Sequence, residues 1–325
     1  MPKESEAKAL ITGGAGFVGS HLIKYLTDRH IDVLATYYMS TISTEERQNL
    51  KRIAKFEECD VRQKRELKNL ISQFRPTMIF HLASQSFPAE SLKEPIYTYE
   101  TNILGTSNLF ESVKELRTQH INPVIINACS SAEYGGVSEH DIPVKENHAL
   151  RPLHPYGVSK VAQELIAYSH FVNFGTKAVN IRIFNTTGPG KRGDICGDFT
   201  EQAIQFQKGN INQFRVGNLD TKRAITDVRD LVEALYLAAQ KADYGQHYNV
   251  SGSKVYSGRE ILDIVLKIAK ISPKVFVDKE LFRPNDEKVI FGNSSKFKER
   301  TGWEQQISLK QTIADMLSHF KWTLK

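Results

Sequence analysis

Lys8-Ala9-Leu10-Ile11-Thr12-Gly13-Gly14-Ala15-Gly16-Phe17-Val18-Gly19-Ser20-His21-Leu22 is the stretch on which the fold of this chain turns. A short apolar run ends in glycines spaced Gly13-x-x-Gly16-x-x-Gly19 and passes into a segment with Leu22 and Leu26 on one helical face. Gly13 permits a tight turn, Gly16 lets a diphosphate approach the backbone, and Gly19 allows close helix-to-strand packing. The helix amino terminus favours the negative charge. A strand, a dinucleotide-binding turn and a helix are therefore expected in that order.

Outward from this unit, strands and helices alternate. Asp32–Tyr38 reads as a second strand, a third ends in Glu57-Glu58-Cys59-Asp60-Val61-Arg62, and Met78–Ala83 is a continuous apolar run suited to a central parallel strand. Helical segments at Pro95–Leu116 and Pro155–Phe174 flank the strand Val124–Cys129. The pattern predicts an α/β fold with a doubly wound parallel (Rossmann) sheet, whose ligands bind beyond the carboxyl ends of the strands. After Ala178–Phe184 the alternation fails, and Asn185–Gly193 reads as a loop into a smaller carboxy-terminal substrate-binding lobe. Asp227 opens an amphipathic helix (Leu231, Ala234, Leu235, Ala238), and Tyr248-Asn249-Val250 suits one more strand of the sheet. The expected division is a dinucleotide-binding domain of residues 1–184, with 228–250 returning to it, and a lobe of 185–227 and 251–325. The segment Ser308–Phe320 reads as amphipathic packing.

Composition narrows the function. The 325 residues, 40% of them hydrophobic, suffice for a large core, and the net charge of +6 is scattered along the chain. With no zinc-finger or RNP-type motif, nucleic acid is not an expected partner; a solvated basic surface or a phosphorylated substrate fits. Cys59, Cys129 and Cys196 are too dispersed for a disulfide framework or a thiolate metal site. No metal constellation is seen, and His21 and His81 sit in core elements where a structural role is expected. The polar start, Met1–Ala7, is not a signal peptide, and no apolar stretch reaches the ~18 residues of a membrane span. A cytoplasmic protein that does not enter membranes is expected.

His154-Pro155-Tyr156-Gly157-Val158-Ser159-Lys160 carries the chemistry. The proline opens a helix, and four residues of spacing put Tyr156 and Lys160 on one face. A tyrosine hydroxyl titrates near ~10, so a neighbouring cation is what makes it a usable proton carrier. With twelve tyrosines in the chain such a pair arises about once by chance, so its weight rests on the surrounding sites.

Thr12 to Gly19 resembles the fingerprint of the extended short-chain dehydrogenases/reductases, a family that also carries the Tyr-x-x-x-Lys pair. The resemblance implies cofactor contacts at Gly13, Gly16, Phe17, Val18, Gly19, Tyr38, Asp60, Val61, Leu82, Ala83, Tyr156 and Lys160. It puts the catalytic hydroxyl at Ser130, four residues before Tyr134-Gly135, and a loop at Ser84-Gln85-Ser86 between nicotinamide and sugar, with Ser131 also on the substrate side. Asp60 alone reads equally well as a helix cap for the segment from Gln63. An NAD site usually has an acid at the far end of the second strand. Asp32 lies at the wrong end, and Tyr37, Tyr38 and Ser40 stand where the acid belongs, so NADP(H) is favoured and NAD(H) possible, although no arginine stands there either.

Val216–Arg223, Thr226–Asp230, Arg283–Glu287 and Thr301-Gly302-Trp303 resemble the branch of GDP-mannose 4,6-dehydratases and GDP-4-keto-6-deoxy-mannose reductases, over nearly the whole chain. This likeness implies a GDP-sugar substrate, with Arg223 and Arg283 on its diphosphate, Asn185 on the sugar side and Asn218 on the nucleotide. Read without it, each arginine is a surface or interlobe residue. A 4,6-dehydratase oxidises C4, eliminates water across C5 and C6 and returns hydride to C6, and the family's dehydratases place the required glutamate two residues after the catalytic hydroxyl. Here that residue is Ala132, while Glu133, in an extended segment, would face the other way. The expected reaction is reduction of a C4 ketone in deoxysugar biosynthesis. Tyr156 gives the proton, Ser130 bonds the reacting oxygen, and Lys160 holds charge and ribose. A dehydratase using Glu133 after rearrangement is the alternative, followed by a 4-epimerase and then a cofactor-binding regulator without turnover. The family likeness also implies a homodimer through Pro95–Leu116 and Pro155–Phe174.

Overall fold

Seven segments pair side by side as parallel strands: β1 (Lys8–Thr12), β2 (Asp32–Tyr37), β3 (Lys55–Glu58), β4 (Met78–His81), β5 (Val124–Ser130), β6 (Ala178–Ile183) and β7 (His247–Val250). Their order is β7-β6-β5-β4-β1-β2-β3, so the chain winds outward in both directions from the β1–β4 junction. The computed structural model describes residues 7–39, 42–282 and 287–323.

All four residues of β4 are buried, as a strand covered on both faces requires. Alternate side chains serve opposite layers. Ala9, Ile11, Phe80, Ile126 and Val179 pack with α1 (Phe17–Thr27) and a helix at Val228–Lys241. Leu10, Ile79 and Ile125 pack with α2 (Lys64–Phe74) and α3 (Gly105–Leu116), and α4 (Pro155–Phe174) adds Ala167 to the same layer. A separate core forms where Cys196, Phe199, Ile261, Val265, Ile313 and Phe320 of α5 (Ile195–Gln207), α7 (Gly258–Ala269) and α8 (Leu309–Thr323) meet Phe214 of the strand Gln213–Val216, with α6 being the helix Val228–Lys241. Asp227 caps α6 by accepting a hydrogen bond from the Arg229 amide.

Two expectations are adjusted. The third strand stops at Glu58, and Cys59–Arg62 forms the turn beyond it. Pro95–Leu116 is not one regular helix, because a π turn at Glu100–Leu104 separates Pro95–Tyr99 from α3. α4 leaves Val158, Leu165, Tyr168 and Val172 exposed by 40–59%, all on one helical face, and Ile96 and Leu104 are exposed as well. Among the described residues, no helix is long and apolar enough to cross a membrane.

Candidate active site at the carboxyl edge of the sheet

The glycine turn lies where β1 and β4 part. Gly13 has φ +73°, and a Cβ there would lie 2.8 Å from the Ala83 amide nitrogen, so the loop after β4 closes directly on the turn. Thr12 joins the two loops, its carbonyl accepting from the Leu82 amide at 3.2 Å and its hydroxyl from the Ala83 amide at 3.3 Å. A Cβ on Gly19 would stand 2.5 Å from the Gly13 carbonyl oxygen, which explains the close seat of α1. No acid occupies the first turn of α1, and its cap, Gly16, contributes no side-chain bond. This cradle fits a dinucleotide diphosphate, with Phe17 and Val18 half-buried beside it. Lys191 brings a cation to the same end, its Nζ 5.0 Å from the Phe17 ring centre. His21 Nε2 lies 2.9 Å from the Pro189 carbonyl and ties that loop down.

At the other end of the cleft, Asp60 does not cap α2. Its carboxylate accepts the Arg62 amide at 2.9 Å and the Arg62 guanidinium at 2.9 and 2.6 Å, and Gln63 takes the cap position. Burial pushes the Asp60 carboxyl up, but the bonds from Arg62 outweigh it and hold the group below its ordinary value. The Arg62 guanidinium carbon sits 5.5 Å from the Tyr38 ring centre and 5.1 Å from that of Tyr97, and Arg47 lies 5.1 Å from that of Tyr37. The expectation of no arginine at the end of β2 is thus corrected by folding: the β3–α2 turn and the helix Thr44–Leu50 supply them. Val61, buried, is pressed against Gly105, whose Cβ would approach Val61 Cγ2 to 2.6 Å.

Ser130 ends β5, and α4 delivers Tyr156 and Lys160 to it. His154 caps α4, its Nδ1 accepting the Gly157 amide at 3.1 Å, and Pro155 starts the helix. A Cβ on Gly157 would lie 2.6 Å from the Ala132 carbonyl oxygen, so a larger residue would push α4 off the turn after Ser130. Burial pushes the Tyr156 hydroxyl up to about 12, and the neighbouring Ser130 side chain draws it partly back. Lys160 is 3% exposed, donates to the Ala128 carbonyl at 2.8 Å and stands 5.7 Å from the Tyr156 ring centre. Burial pulls its ammonium down to about 8. The structure therefore gathers Ser130, Tyr156 and Lys160 at one point on the carboxyl edge.

One organising residue escapes sequence reading. Asn102, fully buried in the π turn, accepts the Gln85 amide at 2.8 Å and donates to the Gln85 carbonyl at 2.9 Å and to Ser159 Oγ at 2.8 Å. It pins the Ser84–Ser86 loop to α4. Its signal, Asn102-x-x-Gly105-Thr106, is short, and π turns of this kind favour functional sites. His81 is structural as expected, held between Thr12 Oγ1 at 2.8 Å and Thr106 Oγ1 at 2.9 Å, and burial pulls it down to about 3. Ser84 Oγ donates to the Gln85 carbonyl at 3.0 Å, Ser86 is exposed, and Ser131 lines a small recess with Tyr134, Gly135 and Phe184.

Ser131–Glu133 is a 3-10 turn, not the extended segment expected. Glu133 points into the core behind Ser130: it is fully buried, its Oε1 accepts the Ser130 amide at 2.8 Å, and its Oε2 lies 3.5 Å from Arg182 Nε. Donor atoms of Cys129, Glu133 and Glu164 lie within 4.8 Å of one another, but the Arg182 guanidinium already supplies the positive charge there.

On the smaller lobe's side, Asn185 Nδ2 is buried without a hydrogen-bond partner, a donor left over for a ligand. Asn218 Oδ1 accepts the Asp220 amide at 3.0 Å within its own turn. Arg223 lies on the strand Lys222–Ala224 and donates to the carbonyls of Glu287 at 2.7 Å and Lys222 at 2.9 Å, which ties it to the segment leading into the strand Val289–Ile290. Arg283 and Ser40 lie outside the described residues.

A strand order that parts at a glycine turn, with a Ser/Tyr/Lys cluster at the same edge, defines the extended short-chain dehydrogenase/reductase class. Within it, the chain belongs to the GDP-mannose 4,6-dehydratase family, since the model described as GDP-mannose 4,6 dehydratase matches residues 10–316. Among relatives, GDP-6-deoxy-D-mannose reductase of Pseudomonas aeruginosa is 26% identical over 316 residues, 97% of each chain. The solved structure of RMD from Pseudomonas aeruginosa complexed with NADPH is similar with a TM-score of 0.85 at 25% identity, covering 98% of this chain and 99% of that one. UDP-glucose 4-epimerase from Thermotoga maritima, solved with UDP-glucose, is similar with a TM-score of 0.87 at 25% identity, covering 98% and 100%.

Proposed function

We propose that this chain reduces the C4 ketone of a GDP-4-keto-6-deoxyhexose. The observation that carries the reading is the turn after Ser130: Ala132 occupies the position of a dehydratase acid, and Glu133 is turned away into the core, where its Oε1 accepts the Ser130 amide. What remains is a hydroxyl pair and an ammonium, suited to moving one proton to a carbonyl oxygen. Bound nicotinamide dinucleotide supplies the hydride. Tyr156 donates its proton to the C4 oxygen, Ser130 holds that oxygen by a hydrogen bond, and Lys160 stabilises the phenolate as it forms. Gly13, Gly16 and Gly19 keep the diphosphate cradle open. Arg62 and Arg47 beside Tyr38 and Tyr37 favour a 2′-phosphate, hence NADPH over NADH. On the sugar side, Asn185 offers its unpaired amide, and the lobe around Asn218 and Arg223 receives the nucleotide. The bound NADPH in the Pseudomonas aeruginosa structure, and the name of the reductase relative from that organism, support the reading.

The purified protein is expected to consume NADPH, and NADH more slowly, when given a GDP-4-keto-6-deoxyhexose. No consumption with any 4-keto nucleotide sugar overturns the reductase; a 4-keto product from GDP-mannose without added reductant makes it a dehydratase. We further propose that the apolar face of α4, with Leu165 at its centre, packs on a second copy. Sedimentation equilibrium should then give twice the 36.8 kDa mass, and Leu165→Glu the single mass; a wild-type monomer removes the dimer.

A further inference from the structure

Glu133 is sealed beneath the turn that carries Ser130, and the residues facing it are few. Glu164, Tyr156 and Lys160 approach from α4, Cys129 from β5 and Arg182 from β6. Arg182 is already committed. Its Nε and Nη2 donate to the two oxygens of Glu164 at 2.8 and 2.6 Å, and Nη1 donates to the Tyr134 hydroxyl at 2.8 Å and the Glu146 carbonyl at 2.9 Å. Glu133 Oε2, although 3.5 Å from Arg182 Nε, has no hydrogen-bond donor.

Two carboxyl groups therefore share one guanidinium in a pocket closed to water. An ionised Oε2 would be an uncompensated buried charge, whose cost is severe. A hydroxyl at Oε2 needs no donor and can give its own hydrogen to the Glu164 carboxylate, while Oε1 accepts the Ser130 amide. His247 on β7, whose Nδ1 lies 3.5 Å from Glu164 Oε1, is pulled down by burial and adds no proton at neutral pH, so with one retained proton the group of Glu133, Glu164 and Arg182 is neutral. Burial first and the charge of Glu164 second push the Glu133 carboxyl far above its ordinary value, in line with this count.

We propose that Glu133 is a positioning residue, a carboxyl group kept in its neutral acid form that ties the backbone of Ser130 to the Arg182–Glu164 pair. Glu133 touches no reacting atom. It holds the Ser130 amide, and with it the hydroxyl beside Tyr156, through a buried partner rather than through water. The effect on turnover rests on the proposed role of Ser130; the protonation state does not.

Glu133→Gln and Glu133→Leu separate the two parts. A carboxamide can accept from the Ser130 amide and donate to Glu164 as the neutral acid does, so Glu133→Gln should keep kcat within about threefold of wild type. Leucine can do neither, and Glu133→Leu should lose about 10–100-fold in kcat with the KM for NADPH unchanged. Infrared difference spectra of wild type against Glu133→Gln, which need no substrate, should show one carboxylic-acid C=O band lost at neutral pH. Absence of that band overturns the neutral acid, and a Glu133→Leu enzyme with the wild-type rate overturns the positioning role. If Glu133→Leu does not fold, a large loss in Glu133→Gln overturns it equally. A wild-type protein inactive on every keto sugar that still shows the band refutes the reductase reading and leaves the neutral acid standing.

Discussion

Replacing Tyr156 with phenylalanine is expected to lower kcat for ketone reduction by about 10²–10⁴-fold, the range for losing a positioned proton donor, with NADPH affinity little changed. The substitution removes one oxygen and leaves the ring, which stacks on His154 at 5.9 Å between centres with a 22° tilt, so α4 keeps its start. Burial pushes the Tyr156 hydroxyl up to about 12, so it carries its proton at neutral pH, as a donor must. As the proton leaves, negative charge grows on the phenol oxygen, and Lys160 is the cation placed to meet it. That ammonium, pulled down to about 8, is charged below this pH and neutral above it, so the wild-type rate should fall as pH rises through about 8. NADPH consumption and fluorescence titration check both halves. An unchanged rate in Tyr156→Phe would remove the residue from the mechanism.

The sheet is legible in the sequence because burial on both faces leaves a plain trace. Met78–His81 is apolar or internally bonded throughout, and the glycines after β1 have no other use in a chain that turns so tightly. The pairing of Tyr156 with Lys160 is legible because helical periodicity is local and Pro155 marks where it starts. Strand ends are less so: Cys59, Asp60 and Val61 look strand-like in composition but are buried as a turn, held by the Arg62–Asp60 bonds.

What stays hidden depends on contacts between distant segments. Arg62 reaches Tyr38 only because β3 lies beside β2, and no reading of the residues after Tyr38 could supply it. The π turn at Glu100–Leu104 comes from an inserted hydrogen-bond step, which no residue type announces, yet it turns Asn102 toward Gln85 and Ser159. Strand alternation turns Glu133 away from the reacting centre, and the side chain does lie away from it, but for another reason. The segment is a 3-10 turn, and Glu133 points into the core because the Ser130 amide and Arg182 lie there.

Arg182→Leu should be the most destabilising single change at this site, costing about 3–5 kcal/mol in denaturant unfolding, as removal of one partner from a buried ion pair does. Arg182 is 2% exposed and joins Glu164 on α4, the Tyr134 hydroxyl and the Glu146 carbonyl. Tyr134 in turn donates to Asn249 Oδ1 at 2.7 Å, so the guanidinium links β6 with α4, the turn after β5 and β7. Leucine would fill part of the space but strand the Glu164 carboxylate. Burial pushes Glu164 up, yet the Arg182 bonds outweigh it and hold its pKa below the usual 4.5. A depressed carboxylate contributes stability that is complete above its unfolded value and lost as pH falls through its folded one. The gap between wild type and Arg182→Leu should therefore be widest at high pH and narrow on acidification, beginning above the ordinary 4.5, where the stranded Glu164 of the variant takes up a proton, and continuing below it, where wild type loses its ion pair. Adding Glu164→Leu to Arg182→Leu should recover part of the loss, since an apolar pair in place of a buried ion pair is often tolerated. A loss below about 1 kcal/mol, typical of exposed pairs, would mean that water reaches the guanidinium and that the pocket holding Glu133 is not closed.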